Sequence, residues 1–208
     1  MPEIIAAKVH GLIASARGLL ARRASPSDPI GRELQHVLRW LDALPQLKGD
    51  FGHTEHPIVQ AAAAVFAGQH TAAARLVEDI ESVIQYLPWQ YNYSERTDAP
   101  DLGRRIAFAE LIGPAAPYVS HDICLGFTLI APNTLYPTHH HPATELYYAI
   151  SGTACWILEG VAQDHCPGTF VLHPSRARHA MRTSDETLLA LYTWSGPDVQ
   201  TTSVYSEQ

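Results

Sequence analysis

Residues 136–148 read YPTHHHPATELYY. In extended backbone, side chains two apart share a face. By that parity His139, His141, Glu145 and Tyr147 point one way and His140 and Tyr148 the other, with Pro142 a point where the strand can break. Two imidazoles and a carboxylate facing together suit a divalent transition metal. A fourth ligand has to come from elsewhere, and the candidate is His179 in GTFVLHPSRARHAMRT, residues 168–183. That segment reads as a strand, a proline turn and a second strand that hairpins back.

Outward from these segments the chain has two textures. From about Arg104 onward, short β-rich runs (RIAFAELI, ICLGFTLIA, ELYYAIS, TACWILE, TFVLH and TLLALYTW) alternate with Gly, Pro, Asn and Asp, the pattern of a sandwich or barrel. Residues 1–87 read as helices instead. Ile5, Val9, Ile13, Ala16 and Leu20 fall at helical spacing. Asp28-Pro29 is an N-cap and first-turn proline opening a helix to about Leu44. A third helix is expected from Pro57 to a stop at Gly68, and a fourth from Thr71 to the break at Pro88. Their apolar stripes are packing surface. The domain expectation is a helical segment 1–87 packing on the β-domain, a connection 88–103 (PWQYNYSERTDAPDLG) that can close a pocket, and a β-domain 104–208 holding the metal site.

Composition narrows the function. The chain has 208 residues and a formal net charge of −7, and no basic cluster larger than Arg22-Arg23 or Arg104-Arg105, which argues against nucleic acid as a partner. Cys124, Cys155 and Cys166 form no CxxC pair, and an odd count argues against a disulfide framework. The cysteines read as small buried hydrophobes. The start carries an acid where a signal peptide needs basic residues. No stretch approaches the roughly 18 consecutive apolar residues of a membrane span. The expectation is a soluble cytoplasmic protein with no membrane partner.

The pattern His139-x-His141-x3-Glu145-x6-Gly152, followed by Gly168-x5-Pro174-x4-His179, resembles the two cupin motifs. The resemblance covers about residues 104–196 and implies a mainly β fold, a jelly-roll-like double-stranded β-barrel with an α-helical N-terminal extension. It also implies one divalent metal ion (Fe, Zn, Mn, Ni or Co) on His139, His141, Glu145 and His179. Three positions depart from the motifs: Asn133 and Arg176 stand where glycines are usual, and Thr183 where an asparagine is. His140, His165 and His173 fit no slot and read as ordinary polar residues.

The run LYPTHHHPATELYY, the helical half and LPWQYNY between the halves are similar to small bacterial dimethylsulfoniopropionate lyases of the DddQ type. That resemblance implies β-elimination of a small zwitterionic substrate to dimethyl sulfide and acrylate, with the metal taking the substrate carboxylate and Tyr147 as general base. It places Tyr136 in the pocket, in a catalytic and substrate-binding role, and Trp194 along its wall. A sulfonium needs aromatic faces, for which Trp89, Tyr91 and Tyr93 are further candidates. Tyr148, Tyr192 and Trp156 read as packing. Two other readings accompany this one: another metallocupin enzyme, an oxygenase or isomerase on a small carboxylate, and a non-catalytic small-ligand barrel. A homodimer is compatible with the fold class.

Overall fold

The computed structural model describes residues 2–42, 44–60, 62–67, 73–94 and 97–205. Helix α1 (Pro2–Arg23) buries Ile5, Val9, Leu12, Ile13, Ala16, Leu19 and Leu20, a stripe at helical spacing. By length and composition alone α1 is apolar enough to cross a membrane, though Lys8 and Arg17 interrupt its apolar run. In the fold its stripe packs on α2 and α4. Helix α2 (Pro29–Leu41) starts where expected: extended Asp28 accepts the Gly31 N–H at 3.0 Å, with proline in the first turn.

The next two helices are shorter than their apolar runs. Helix α3 (Pro57–Gln60) is followed by a 3₁₀ segment at Ala62–Phe66, and α4 (Ala74–Glu81) by another at Ile84–Tyr86. After α4, Val83 N–H reaches Ile80 O and Tyr86 N–H reaches Val83 O, the tighter bonding of a 3₁₀ turn. The β-branched pair Val83-Ile84 weakens the helix there, and Pro88 keeps Leu87 extended. The expected stop at Gly68, the start at Thr71 and His70 lie outside the described residues.

The connection 88–103 contains β1 (Trp89–Gln90) and the start of α5 (Leu102–Arg105). Then come β2 (Ile106–Gly113), β3 (Tyr118–Val119), β4 (Ile123–Ile130), β5 (Leu135–His140), β6 (Thr144–Ser151) and β7 (Ala154–Leu158). They are followed by β8 (Val161–His165), β9 (Phe170–His173), β10 (His179–Thr183), β11 (Leu188–Ser195) and β12 (Val204–Tyr205). One sheet runs β1-β2-β4-β11-β6-β9 with β3 beside β2, the other β12-β5-β10-β7-β8. Apart from the parallel β2–β3 pair, every pairing of named strands is antiparallel. This is the mainly β, jelly-roll arrangement with N-terminal helices that the cupin resemblance implied.

The larger sheet is buried on both faces. Ala109, Leu111, Phe127, Leu129, Leu146, Tyr148, Leu189 and Leu191 share one core with the helices. Phe108, Cys124, Tyr147, Ala190 and Tyr192 share a second with Tyr136, Trp156 and Met181 of the smaller sheet. Double burial removes the alternation of a half-exposed strand, so β2, β4, β6 and β11 read as continuous apolar runs.

The motif departures keep their backbone shape. Asn133 and Arg176 have φ 52° and 64°, left-handed conformations that glycine reaches without cost. Thr183 accepts the Thr134 N–H at 3.0 Å and donates to Ala131 O at 2.6 Å, so a hydroxyl ties the turn. Gly152, with φ 79°, packs so tightly that a Cβ would lie 2.3 Å from the Thr187 carbonyl oxygen. Gly152→Ala is expected to cost at least about 2 kcal/mol, read as a lower urea midpoint with an unchanged slope. An unchanged midpoint would contradict the backbone assigned to this turn.

Candidate metal centre and its cavity

The two site segments are built alike. Pro142 separates β5 of the smaller sheet from β6 of the larger, and Pro174 separates β9 of the larger from β10 of the smaller. Neither segment is a continuous strand or a hairpin, which corrects the hairpin expected for residues 168–183. Each is an arch from one sheet to the other, and the arches pair: β5 with β10, setting His139 opposite His179, and β6 with β9, setting Glu145 opposite His173. Arg176 N–H donates to His141 O at 2.8 Å and Ser175 Oγ to Pro142 O, locking the two turns together. Parity therefore works within each arm, and the arms face one another because they belong to opposed sheets.

This places His139, His141, Glu145 and His179 in one buried cluster, with one ligand atom from each within 4.8 Å of the others. Each histidine has Nδ1 on a local carbonyl: His139 on Pro137 O at 2.8 Å, His141 on Ala143 O at 3.0 Å, His179 on Ala177 O at 2.9 Å. A backbone carbonyl accepts, so Nδ1 carries the proton and Nε2 keeps its lone pair, the second-shell arrangement of metal-bound imidazole. Nε2 of His141 and of His179 lie 3.2 and 3.1 Å from Glu145 Oε2. Lone pairs facing a carboxylate in a buried site need a cation between them, and this donor set fits a divalent transition metal. Burial works to raise the Glu145 carboxyl, and positive charge placed among the imidazoles of His141, His173 and His179 outweighs it and holds the carboxyl well below its ordinary value. Burial, then the neighbouring His179, pushes His139 well below the usual imidazole range.

His173, read as an ordinary polar residue, is fully buried, its ring centre 4.1 Å from that of His179 and its Nδ1 3.4 Å from Glu145 Oε2. Its register opposite Glu145 is the signal that would have found it, and register across an arch is not visible along one strand.

Aromatic rings wall the cluster. Tyr136 stacks on His139 at 4.1 Å and shares a 2.6 Å hydroxyl contact with Tyr93. Trp194 stacks on His141 at 4.1 Å and donates its indole N–H to Glu145 Oε1 at 2.7 Å, so it fixes the carboxylate as well as lining the space. Tyr147 is buried, with Trp156 and His173 at 4.8 and 5.8 Å; burial first, then the Glu145 carboxylate, pushes its hydroxyl well above the usual phenol value. Burial pushes Tyr93 up to about 12. Tyr93, Phe108, Tyr136, Glu145, Tyr147 and Trp194 line one cavity of about 300 Å³.

Two expected pocket residues lie elsewhere. Trp89 pairs with Ala109 on the outer face of the larger sheet, packs in the helical core and donates its indole N–H to Ile84 O at 2.7 Å. Tyr91 is held by the Tyr205 hydroxyl at 2.9 Å, outside the cavity lining. From residues 88–103, Tyr93 lines the cavity in their place, with Gln90 and Asn92. The cysteine expectation holds for buried Cys124 but not for exposed Cys166.

Glu110 and Tyr192 also line the cavity; the sequence reading assigned Tyr192 to packing and gave Glu110 no role. Burial pushes Glu110 up to about 6, against hydrogen bonds from Cys124 and Tyr192 that pull it down. Between its ordinary value of 4.5 and about 6, the folded chain holds this proton and the unfolded chain does not. Stability therefore falls as pH rises through that window, and the cost is fully present above it. Glu110→Gln is expected to be more stable than the parent at pH 7.5, by on the order of 2 kcal/mol, the gain shrinking toward pH 4.5. Denaturant midpoints across that range decide it, and a variant less stable at pH 7.5 would contradict the assigned environment. At the cluster itself, Glu145→Ala and His179→Ala are each expected to lose most bound transition metal in a dialysis that the parent survives. Elemental analysis would read this, and undiminished metal in either variant would remove that residue from the ligand set.

A family model for dimethylsulfoniopropionate lyases matches residues 32–190. A putative dimethylsulfoniopropionate lyase, DddL, of Cereibacter sphaeroides is 33% identical over 136 residues, 65% of this chain and 57% of that protein. Dimethylsulfoniopropionate lyase DddQ of Ruegeria pomeroyi is 34% identical over 117 residues, 56% of this chain and 58% of that protein. The chain thus spans little more than half the length of these curated relatives. The crystal structure of the Ruegeria pomeroyi DSS-3 DddQ superposes with a TM-score of 0.75 at 26% identity, over 96% of each chain. A chain from crystal structures of the lyases RdDddP and RnDddQII gives 0.82 at 21% identity, over 98% of this chain and all of the other, and shows the shared fold. With more than half of its length matched by the family model, and with the fold and cluster described above, the chain belongs to the dimethylsulfoniopropionate lyase family.

Proposed function

We propose that this chain is a metal-dependent carbon–sulfur lyase that cleaves dimethylsulfoniopropionate to dimethyl sulfide and acrylate by β-elimination. The observation that carries the reading is the shared cavity: Glu145, the centre of the four-residue cluster, and the buried Tyr147 line the same aromatic space of about 300 Å³. Family membership supports the substrate class. His139, His141, Glu145 and His179 would hold the ion. Bound there, a divalent cation supplies a Lewis acid for the substrate carboxylate and a positive charge that favours the phenolate of Tyr147.

Tyr147 accepts the proton from the carbon next to the carboxylate. The electron pair left behind forms the carbon–carbon double bond, and the carbon–sulfur bond breaks with its electrons on sulfur. Dimethyl sulfide leaves neutral, so no acid is required. Tyr136, stacked on His139 and tied to Tyr93, forms the wall against which the substrate lies. Trp194 holds Glu145 in place through Oε1, and its ring offers the sulfonium a π-face.

Metal-loaded protein incubated with dimethylsulfoniopropionate is expected to release dimethyl sulfide and acrylate in equal amounts, followed by headspace gas chromatography and liquid chromatography of the same samples. A chelator should abolish both products. Tyr147→Phe is expected to keep its metal and lose on the order of 10²–10⁴-fold in turnover, the usual contribution of a general base. Full activity of that variant removes Tyr147 from the mechanism, and no product from metal-loaded parent protein removes the lyase.

A further inference from the structure

Among the residues lining the cavity, Glu110 has no part in the elimination. It stands on β2, separated from Glu145 on β6 by β4 and β11, on the order of 14 Å along the sheet at ordinary strand spacing. Its position is built. A β-bulge between Glu110 and Ile112 re-aims the strand there. A Cβ on Gly113 would lie 2.1 Å from Glu110 Oε1, and a Cβ on Gly126 would lie 2.8 Å from the Tyr192 hydroxyl. The two missing side chains thus leave room for the Glu110 carboxylate and for the Tyr192 ring. The polar groups that act on the carboxyl there, the Tyr192 hydroxyl and the Cys124 thiol, are both neutral, and the thiol donates to Val199 O at 3.6 Å. Among the described residues, no lysine, arginine or histidine forms an ion pair with Glu110.

A largely buried carboxylate costs free energy unless a cation meets it. With no cation supplied by the described protein, the natural partner is one that enters the cavity. The surrounding surface has the matching chemistry: Tyr93, Phe108, Tyr192 and Trp194 line the same space, and aromatic faces attract a poorly hydrated onium group where they would not replace the hydration of a small ion. We propose that Glu110 is the counter-charge for the onium end of the substrate and sets the specificity of the site for a zwitterion over a neutral-tailed carboxylate of the same shape. The identity of that onium as a dimethylsulfonium rests on the lyase reading; the demand for a cationic tail does not.

The test uses two carboxylates that resist elimination and differ in charge but hardly in shape: 3-(trimethylammonio)propanoate and 4,4-dimethylpentanoate. Binding of each to the metal-loaded full chain is measured by titration calorimetry, for the parent and for Glu110→Gln, which keeps the acceptor for Tyr192. The parent is expected to bind the cationic compound at least about tenfold tighter than its neutral twin. Glu110→Gln should reduce that preference to about threefold or less while leaving the neutral compound's affinity within about twofold, which also shows that the cavity is intact. Equal weakening of both compounds would make Glu110 a shaping residue only, and an unchanged preference would make it a bystander. Absence of a preference in the parent, or of binding to it, overturns the proposal as well. Dimethyl sulfide release by the parent is scored separately. A charge preference lost in Glu110→Gln without dimethyl sulfide release in the parent would retain the onium site and discard the lyase, and the reverse pattern would do the opposite.

Discussion

The site turns on acceptor atoms forced to face one another. Local carbonyls take the Nδ1 protons of His139, His141 and His179, so their Nε2 lone pairs converge on Glu145, all within 4.8 Å. A carboxylate and lone pairs so placed repel in a low-dielectric interior until a cation sits among them. The protein supplies the rigidity to hold this arrangement. Pro142 and Pro174 turn the chain between the sheets, and the two arches pair arm to arm, so ligands remote in sequence meet by strand register. The turn bond from Arg176 N–H to His141 O sets the arches against each other.

That rigidity needs more apolar surface than a two-sheet sandwich offers. The cavity removes packing from the inner face of the larger sheet, where Glu110, Glu145, Tyr147 and Tyr192 look inward. The outer face compensates. Residues such as Phe127, Leu129, Leu189 and Leu191 are completely or almost completely buried beneath the helices, each worth about 1.5–3 kcal/mol of transfer free energy. The helical half is in this sense part of the scaffold of the candidate site, although none of its described residues lines the cavity. It lets the sheet stay ordered while one face is hollow and polar.

What could be read from the sequence follows from what each feature depends on. The four residues of the cluster were legible because the HxHxxxE spacing is local and the cupin resemblance pointed to the later histidine. Tyr136 and Trp194 came from resemblance, and in the fold they stack on His139 and His141. Trp89 and Tyr91 were misplaced because the connection carries no period, so nothing in it says which aromatic faces inward. β8 escaped notice because VAQDH is an edge strand with little apolar content and most of its residues exposed. His173, Glu110 and Tyr192 were missed for one reason: each acquires its role from a partner on another strand. A lone glutamate in RIAFAELI looks like the polar interruption of an edge, and only the glycines at 113 and 126 mark it as accommodated.

The placement of the two cavity carboxylates matches a dipolar guest. With a divalent ion held by this cluster, Glu145 would neutralise only part of its charge, and that end of the cavity would favour an anionic group. Glu110 stands across β4 and β11, and among the described residues no cationic side chain pairs with it, so its end would favour a cationic group. A simple fatty acid satisfies the first and leaves the second unpaired, and a simple amine does the reverse. A β-zwitterion satisfies both, with its acidic carbon between them. In the proposed elimination that carbon would lose its proton, and Tyr147 projects from β6 into the same space, two residues after Glu145. On the proposed lyase reading, the spacing of charge in the cavity would select both the substrate class and the bond to be broken.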